Sequence, residues 1–319
     1  MDIQRQYLDR VRLLIDRNEA ARREFLDSGR MLVHYTKPDT AKKILNSREL
    51  WLCNARNPCM PDKEEIIFGR KCVQQFLNSN EARLHKALDS IEPGLSAALL
   101  DVWNLEHEAH LEKTYISCFT DHEANEHVGS DHHWGNYGQV ALFLDPAFMR
   151  DDPSNRLSLY LVKVNYGKDT AERLLLEWLT AIEENCDFLK ESARFPLLSL
   201  LRHQLFFVSV STKGDNFSAE KEWRVIHAPW IFSSAHVWRH PDCDEDLPVG
   251  VLPLRFNHFQ GLDLPELEIK NLFRKILVNS SANDAAHLRL DLIFQLANNN
   301  ISNAKSLVHL TPPKGDSGS

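Results

Sequence analysis

Met31-Leu32-Val33-His34-Tyr35-Thr36 reads as a β-strand, because apolar, β-branched and aromatic residues fill it without a break. Pro38 follows where a proline suits the first turn of a helix, and Ala41, Ile44 and Leu45 then recur at helical spacing. Leu50-Trp51-Leu52-Cys53 returns to strand character. The chain thus opens its main body with strand, helix and strand.

On the N-terminal side, Ile3, Tyr7, Leu8, Val11, Leu14 and Ile15 make one apolar stripe between Arg and Asp residues, and Gly29 ends the pattern. Residues 1–30 are therefore expected as a helix packed on the outside of the main domain, with dimerisation or partner binding as the other use of such a face. On the C-terminal side, Met60-Pro61-Asp62-Lys63-Glu64-Glu65 is too polar and proline-broken for a core element, so it is expected as a loop leading into helix. Residues 71–112 are helical and charged in pattern. Strands are expected at Thr114–Thr120, Gln139–Leu144 and Leu159–Val164. A helix over 171–190 places Ala171, Leu175, Trp178 and Ile182 on one face. Further strands are expected at Leu205–Ser211, Glu222–His227 and Lys275–Val278. Ser281 and Asn283 are placed to cap a last helix carrying Leu288, Leu292 and Leu296 inward, and the tail 313–319 is expected to be disordered. Strands and helices do not alternate one for one, which makes the fold class α+β. A single domain spans 31–312, with helical insertions near 71–112 and 171–200.

Composition narrows the function. The chain has 319 residues, 43% hydrophobic and 26% charged, so a sizeable core is expected. Its formal charge of −8 would repel a phosphate backbone, and no stripe of Lys and Arg interleaved with aromatics offsets it. The six cysteines are irregularly spaced, several inside apolar runs, and no secretory leader opens the sequence; reduced thiols in a cytoplasmic setting follow. The longest apolar stretch, near Leu197–Val210, is broken by Arg202, His203 and Gln204, so no membrane span is expected. Neither a dinucleotide-binding glycine fingerprint nor a Walker loop is present.

Three islands carry the polar chemistry: His34-Tyr35-Thr36, Trp134-Gly135-Asn136-Tyr137-Gly138 and Glu220-Lys221-Glu222-Trp223-Arg224. With the strand Ile116-Ser117-Cys118-Phe119-Thr120, the loop holding Met60, Asp62 and Glu65 before Gly69, and a closing strand and helix, they occur in an order that resembles the bacterial and phage family called domain of unknown function 2971. The likeness covers roughly 31–310. It departs from the family at Pro61, where an Asn is usual, and so loses an amide there. That family looks distantly related to ADP-ribosyltransferases. The resemblance implies split antiparallel β-sheets with flanking and inserted helices, NAD held in the cleft between them, and transfer of ADP-ribose to an acceptor of unknown kind, protein or nucleic acid. It also implies a role in toxin or phage-defence systems, where a neutralising protein is a plausible companion.

Cleaving the bond between nicotinamide and ribose builds positive charge on the ribose, so a nearby carboxylate is strengthened most in the transition state. Glu222 is the candidate for that role and Glu220 for orienting or deprotonating the acceptor. Strand alternation would put Glu220, Glu222 and Arg224 on one face and Lys221, Trp223 and Val225 on the other. The competing reading makes both glutamates a solvated strand face balanced by Lys221 and Arg224. In the transferase reading, His34 hydrogen-bonds the adenosine-side ribose, Tyr35 packs on the opposite face, and Thr36 caps the next helix or touches the ligand. Tyr137 stacks on nicotinamide, Trp134 anchors the loop, Gly138 lets the chain pass close to its neighbour, and Ser117 and Thr120 offer hydroxyls near the nicotinamide amide.

A rival constellation, Asp121, His122, Glu123, Glu126, His127, Asp131, His132 and His133, has ligand-type side chains but no metal-binding spacing, and is expected as an acidic lid rather than a metal centre. The alternative to an enzyme is a module that keeps the fold and binds a nucleotide or a protein partner without catalysis.

Overall fold

Strand β3 (Tyr115–His122) is the axis of a nine-stranded, mostly antiparallel sheet, and its two edges are used differently. In the computed structural model, residues 16, 18–56, 63–123, 131–150, 159–191, 194–231, 250–256 and 264–312 are described. Along one edge, β3 pairs continuously with β8 (Glu222–His227), which in turn pairs with β5 (Leu159–Lys163). The other edge is shared. β1 (Met31–Thr36) pairs with the far end of β3, Val33 opposite Thr120, while β2 (Glu49–Asn54) pairs with its near end, Cys53 opposite Ile116. The register skips Ser117, Cys118 and Phe119 on that edge. β1 continues into β4 (Val140–Leu144), β10 (Phe273–Val278) and β11 (Val308–Leu310), whereas β2 carries only β9 (Val251–Arg255). Two limbs therefore leave one strand and open a fork at its middle.

One face of the sheet buries Leu32, Phe119, Leu142, Trp223 and Val225 in the largest core, beneath helices α1 (Asn18–Asp27), α2 (Pro38–Ser47) and a C-terminal helix (Ala285–Asn298). Helix α1 also seals the outer edge of β5. Its Asn18 side-chain amide donates to the Leu161 carbonyl at 2.9 Å and accepts from the Lys163 N–H at 3.0 Å, standing in for a missing strand. The opposite face carries Val33, Tyr35, Ala141 and Phe143 at one end and Ile116, Tyr160, Val162 and Ile226 at the other.

Helices α3 (Lys63–Ser79), α4 (Glu81–Ile91), α5 (Leu95–Glu112), α7 (Lys168–Glu184) and α8 (Arg194–Val210) build a second core around Val73, Leu99, Trp178 and Leu201. The short α6 (Asp131–Tyr137) lies against β1. Of Leu205–Ser211, expected as a strand, all but Ser211 belongs to α8. Its Leu197, Leu201, Leu205 and Val208 enter the helical core, while Phe206, Phe207 and Val210 reach the sheet. A helix buried on two sides is apolar all round, and the period that distinguishes it from a strand disappears.

Other expectations shift in detail. The first insertion begins at Lys63 rather than near 71. Residue 37, not Thr36, precedes α2, and Asp284 rather than Ser281 or Asn283 precedes the C-terminal helix; neither makes a side-chain cap bond. β9 was not legible, since Pro253 interrupts its strand pattern; it pairs with β2 along one side, where Pro253 faces Trp51. The stripe of residues 1–15, the loop 57–62 and the tail 313–319 lie outside the described residues. Among the described residues, no helix is long and apolar enough to cross a membrane.

Candidate active site

A buried ionic cluster forms where β8 begins. The Glu222 carboxylate accepts from Arg224 Nε at 2.8 Å through one oxygen and from Lys213 Nζ at 2.8 Å through the other. Lys213 Nζ also donates to Glu220 at 2.6 Å, and the remaining Glu220 oxygen accepts from the Tyr137 hydroxyl. All four charged side chains are nearly sealed from water, each at most 6% exposed. Two carboxylates face two cations, so the cluster is neutral as a unit. Ions this deep tolerate burial only because each partner is present.

Local backbone brings these groups together. Glu220 ends a 3-10 turn (Asp215–Glu220), and Lys221 adopts the left-handed region at φ 46° before β8 starts at Glu222. Glu220 therefore reaches Glu222 through a sharp turn, not through strand alternation as the sequence pattern suggested. The same turn leaves Lys221 outside the cluster. The balancing lysine is Lys213, on the two-residue strand β7 (Thr212–Lys213) that leaves α8 and pairs with β6 (Asn165–Tyr166). From β6, the Tyr166 hydroxyl accepts the Glu222 backbone N–H at 2.7 Å and fixes the start of the strand. Arg224, wholly buried, also donates to the Val210 carbonyl at the end of α8.

Electrostatics make Glu222 a permanent anion. Burial by itself would raise its pKa, but Arg224 and Lys213, with hydrogen bonds from Arg224 and the Cys118 thiol, bring it down to about 2. The same arrangement lifts its neighbours. Burial and the Glu220 carboxylate push the Tyr137 phenol far up, and the protein packed around the central strand, which desolvates the thiolate although the side chain reaches the surface, does the same to Cys118 together with the Glu222 charge. The Tyr166 phenol rises chiefly by burial.

Cys118 sits opposite Arg224 at the centre of the sheet, yet its side chain is exposed. An exposed thiol in the middle of a central strand means that the sheet face carrying Glu222 and Arg224 is uncovered there, beside the fork. On the fork edge, His34 Nδ1 lies 3.2 Å from the Cys118 carbonyl oxygen and donates to it, which the skipped register leaves available. Burial lowers the pKa of His34 against the opposing effect of that bond.

The sheet divides the remaining residues singled out from the sequence. Glu222 lies opposite Thr120, and Thr120 opposite Val33, so Tyr35 and Thr120 share its face. His34 and Ser117 belong to the other face. His34 packs near Phe119, with ring centroids 5.7 Å apart, and Ser117 is buried opposite Val225. Ser117 is thus separated from the cluster by the sheet itself, and His34 approaches it only through the fork. Tyr35 does pack, as expected: its ring meets those of His133 at 4.9 Å and Trp134 at 5.0 Å, and its hydroxyl bonds His122 Nε2 at 3.0 Å. Trp134 is a buried anchor at 8% exposure, whereas Tyr137, one turn on, keeps 38% of its surface accessible. Thr36 is buried at the end of β1. Gly138 follows α6 at φ 131°, and an added Cβ would stand 2.3 Å from the Thr36 carbonyl oxygen, so only glycine permits that passage.

Lys213, Cys118 and Tyr166 were not assigned a role from the sequence. Lys213 carried one faint signal, as the first cation after a long apolar run and just ahead of the acidic island. Of the histidine-rich segment, His122 and His133 are buried beside Tyr35, and Asp121 pairs with Arg30. Glu126 and His127 lie outside the described residues. Among the described residues, no three His, Cys, Asp or Glu side chains gather as a metal site.

No family model matches the chain, and no curated protein or solved structure matches it at the significance required.

Proposed function

We propose that this protein is an NAD-dependent ADP-ribosyltransferase-like enzyme whose centre is the Glu222 cluster beside the fork. One observation carries the reading. Tyr137, Glu220, Glu222 and Arg224, picked from islands more than eighty residues apart in the chain, meet in one hydrogen-bonded group next to an opening in the sheet. The main sheet is one continuous, mostly antiparallel nine-stranded sheet that fits the α+β class, and the split-sheet arrangement is carried by the sequence resemblance alone.

In this reading the ionised Glu222 faces the ribose as nicotinamide leaves and stabilises its growing positive charge. A pKa near 2 suits a fixed counter-charge and not a proton carrier. Glu220, held by Tyr137 and Lys213, orients the acceptor. The accessible ring of Tyr137 offers the stacking surface, and His34, its Nδ1–H given to the Cys118 carbonyl, offers Nε2 as an acceptor for a ribose hydroxyl. Since Lys213 already occupies both carboxylates, substrate must displace or share that ammonium to engage Glu222. Incubation of the purified chain with NAD, with and without cell lysate, tests the proposal through released nicotinamide. Glu222→Gln is expected to lower turnover by about two to three orders of magnitude, the scale of one lost aimed contact; equal rates for the two proteins would overturn the assignment.

The full neutralisation of both glutamates favours a second reading, a binding module in which the cluster is structural. NAD binding without nicotinamide release, retained in Glu222→Gln, is its signature.

A further inference from the structure

At the opposite end of β3 from Glu222, a groove of about 600 Å³ opens between α3, α5 and the end of β2. That volume lies in the range that takes a small organic molecule. Ala55, just past the end of β2, donates its N–H to the Thr114 carbonyl at 2.8 Å, which fixes the groove at the start of β3. Six residues separate Thr114 from Thr120, the partner of Glu222, or roughly 20 Å of strand. The groove is therefore a separate place from the ionic cluster.

Its two walls differ in chemistry. Ile66, Ile67 and Leu111 give an apolar side, and Ile67 keeps 51% of its surface exposed. Arg56, Arg70 and Lys71 give a cationic side, with Glu108 as the acidic residue among the described lining residues. Arg56 and Arg70 converge on that one carboxylate, Arg56 at 2.8 Å from one oxygen and Arg70 on the other. Each guanidinium has five N–H donors in a rigid fork, so sharing Glu108 holds the two groups side by side with donors to spare. Glu112, just outside the groove, also pairs with Arg56, so among the described residues three cations face two carboxylates, an excess of one positive charge in a chain whose total is −8.

We propose that this groove binds a small amphipathic organic anion, its carboxylate or phosphate head on Arg56, Arg70 and Lys71 and its aliphatic tail along Ile66, Ile67 and Leu111. The head takes the donors that Glu108 and Glu112 leave unused, and the tail covers Ile67.

Calorimetric titration of the full chain with octanoate, octyl phosphate, octanol and inorganic phosphate tests both halves of the claim. Octanoate or octyl phosphate is expected to bind at least tenfold more tightly than octanol and than inorganic phosphate, and whichever of the two is tighter identifies the head group. Arg56→Gln with Arg70→Gln is expected to weaken the anion at least tenfold while leaving octanol unchanged, and Ile67→Glu to weaken all alkyl probes. Circular dichroism confirms that each variant is folded. Glu222→Gln, at the other end of β3, is expected to bind the probes as the parent does, so failure here and failure of the transferase reading are separate results. Equal affinity for octanol and octanoate, no binding of either anion, or anion affinity unchanged in the double arginine variant would overturn the proposal.

Discussion

Lys213 and Glu222 lie 2.8 Å apart with almost no contact to water, and the same ammonium reaches Glu220 at 2.6 Å. One lysine thus holds together two carboxylates that would otherwise repel each other in a poorly solvated space. Lys213→Met is expected to cost about 3–5 kcal/mol, the usual penalty for stripping one partner from a buried ion group. Urea unfolding of the two proteins checks it. A second change, Glu220→Gln on the same background, is expected to restore part of the loss by removing the unbalanced charge.

Acid should expose Glu222 directly. Its ordinary pKa of 4.5 falls to about 2 in the folded chain, so the folded state holds the anion more strongly than the unfolded state does. The stability it contributes is complete above about pH 4.5 and is lost as pH drops through about 2. Urea midpoints measured from pH 6 to 2.5 are expected to decline more steeply for the parent than for Glu222→Gln; parallel curves would count against the ionic cluster.

His107 acts earlier in the same titration. Burial lowers its pKa from 6.5 to about 3, and its Nε2 lies 3.1 Å from the Ser209 hydroxyl between α5 and α8. A neutral ring is required in the fold, so stability begins to fall below about pH 6.5 and continues down to about pH 3. His107→Gln is expected to flatten the upper part of that slope. Proton NMR is expected to show His107 without a titration step near neutral pH.

Gly138→Ala is expected to destabilise the chain by about 1–3 kcal/mol or more, because it combines a positive φ with a collision against Thr36 and Lys37. Since α6 ends at Tyr137, the same change should loosen the Tyr137–Glu220 bond. Thermal melts give the first effect, and the ultraviolet titration of tyrosine gives the second.

Alkylation reports on Cys118. The thiol is exposed, but burial of its surroundings and the Glu222 charge keep it protonated, so iodoacetamide should label it slowly near neutral pH. Glu222→Gln removes a negative neighbour and is expected to speed labelling severalfold, read by peptide mass mapping. A slower reaction in that variant would contradict the contact between the two groups.

Most of the sheet could be read from residues, because β1, β2, β3, β4, β5, β8 and β10 carry compact apolar or β-branched runs. What could not be read has physical causes. Helix α8 lost its period by serving two cores at once, and β9 was hidden by Pro253. The Glu-x-Glu pattern named two carboxylates that do meet, but the left-handed Lys221 and not strand alternation joins them. Lys213 carried only its faint positional signal because its pairing depends on β7 meeting β8, which no local pattern encodes. His34 was read correctly as facing away from Tyr35, but the side of the sheet that holds the cluster turned out to be that of Tyr35.

The shared edge of β3 also dictates an order of events at the ribosome. β1 and β2 are synthesised early, yet both need β3, more than fifty residues later, before either has its inner neighbour. β1 then waits for β4, and β2 for β9 near the last quarter of the chain. A nascent chain stalled before residue 115 carries two unpaired strands with apolar faces, which is where chaperone capture should concentrate.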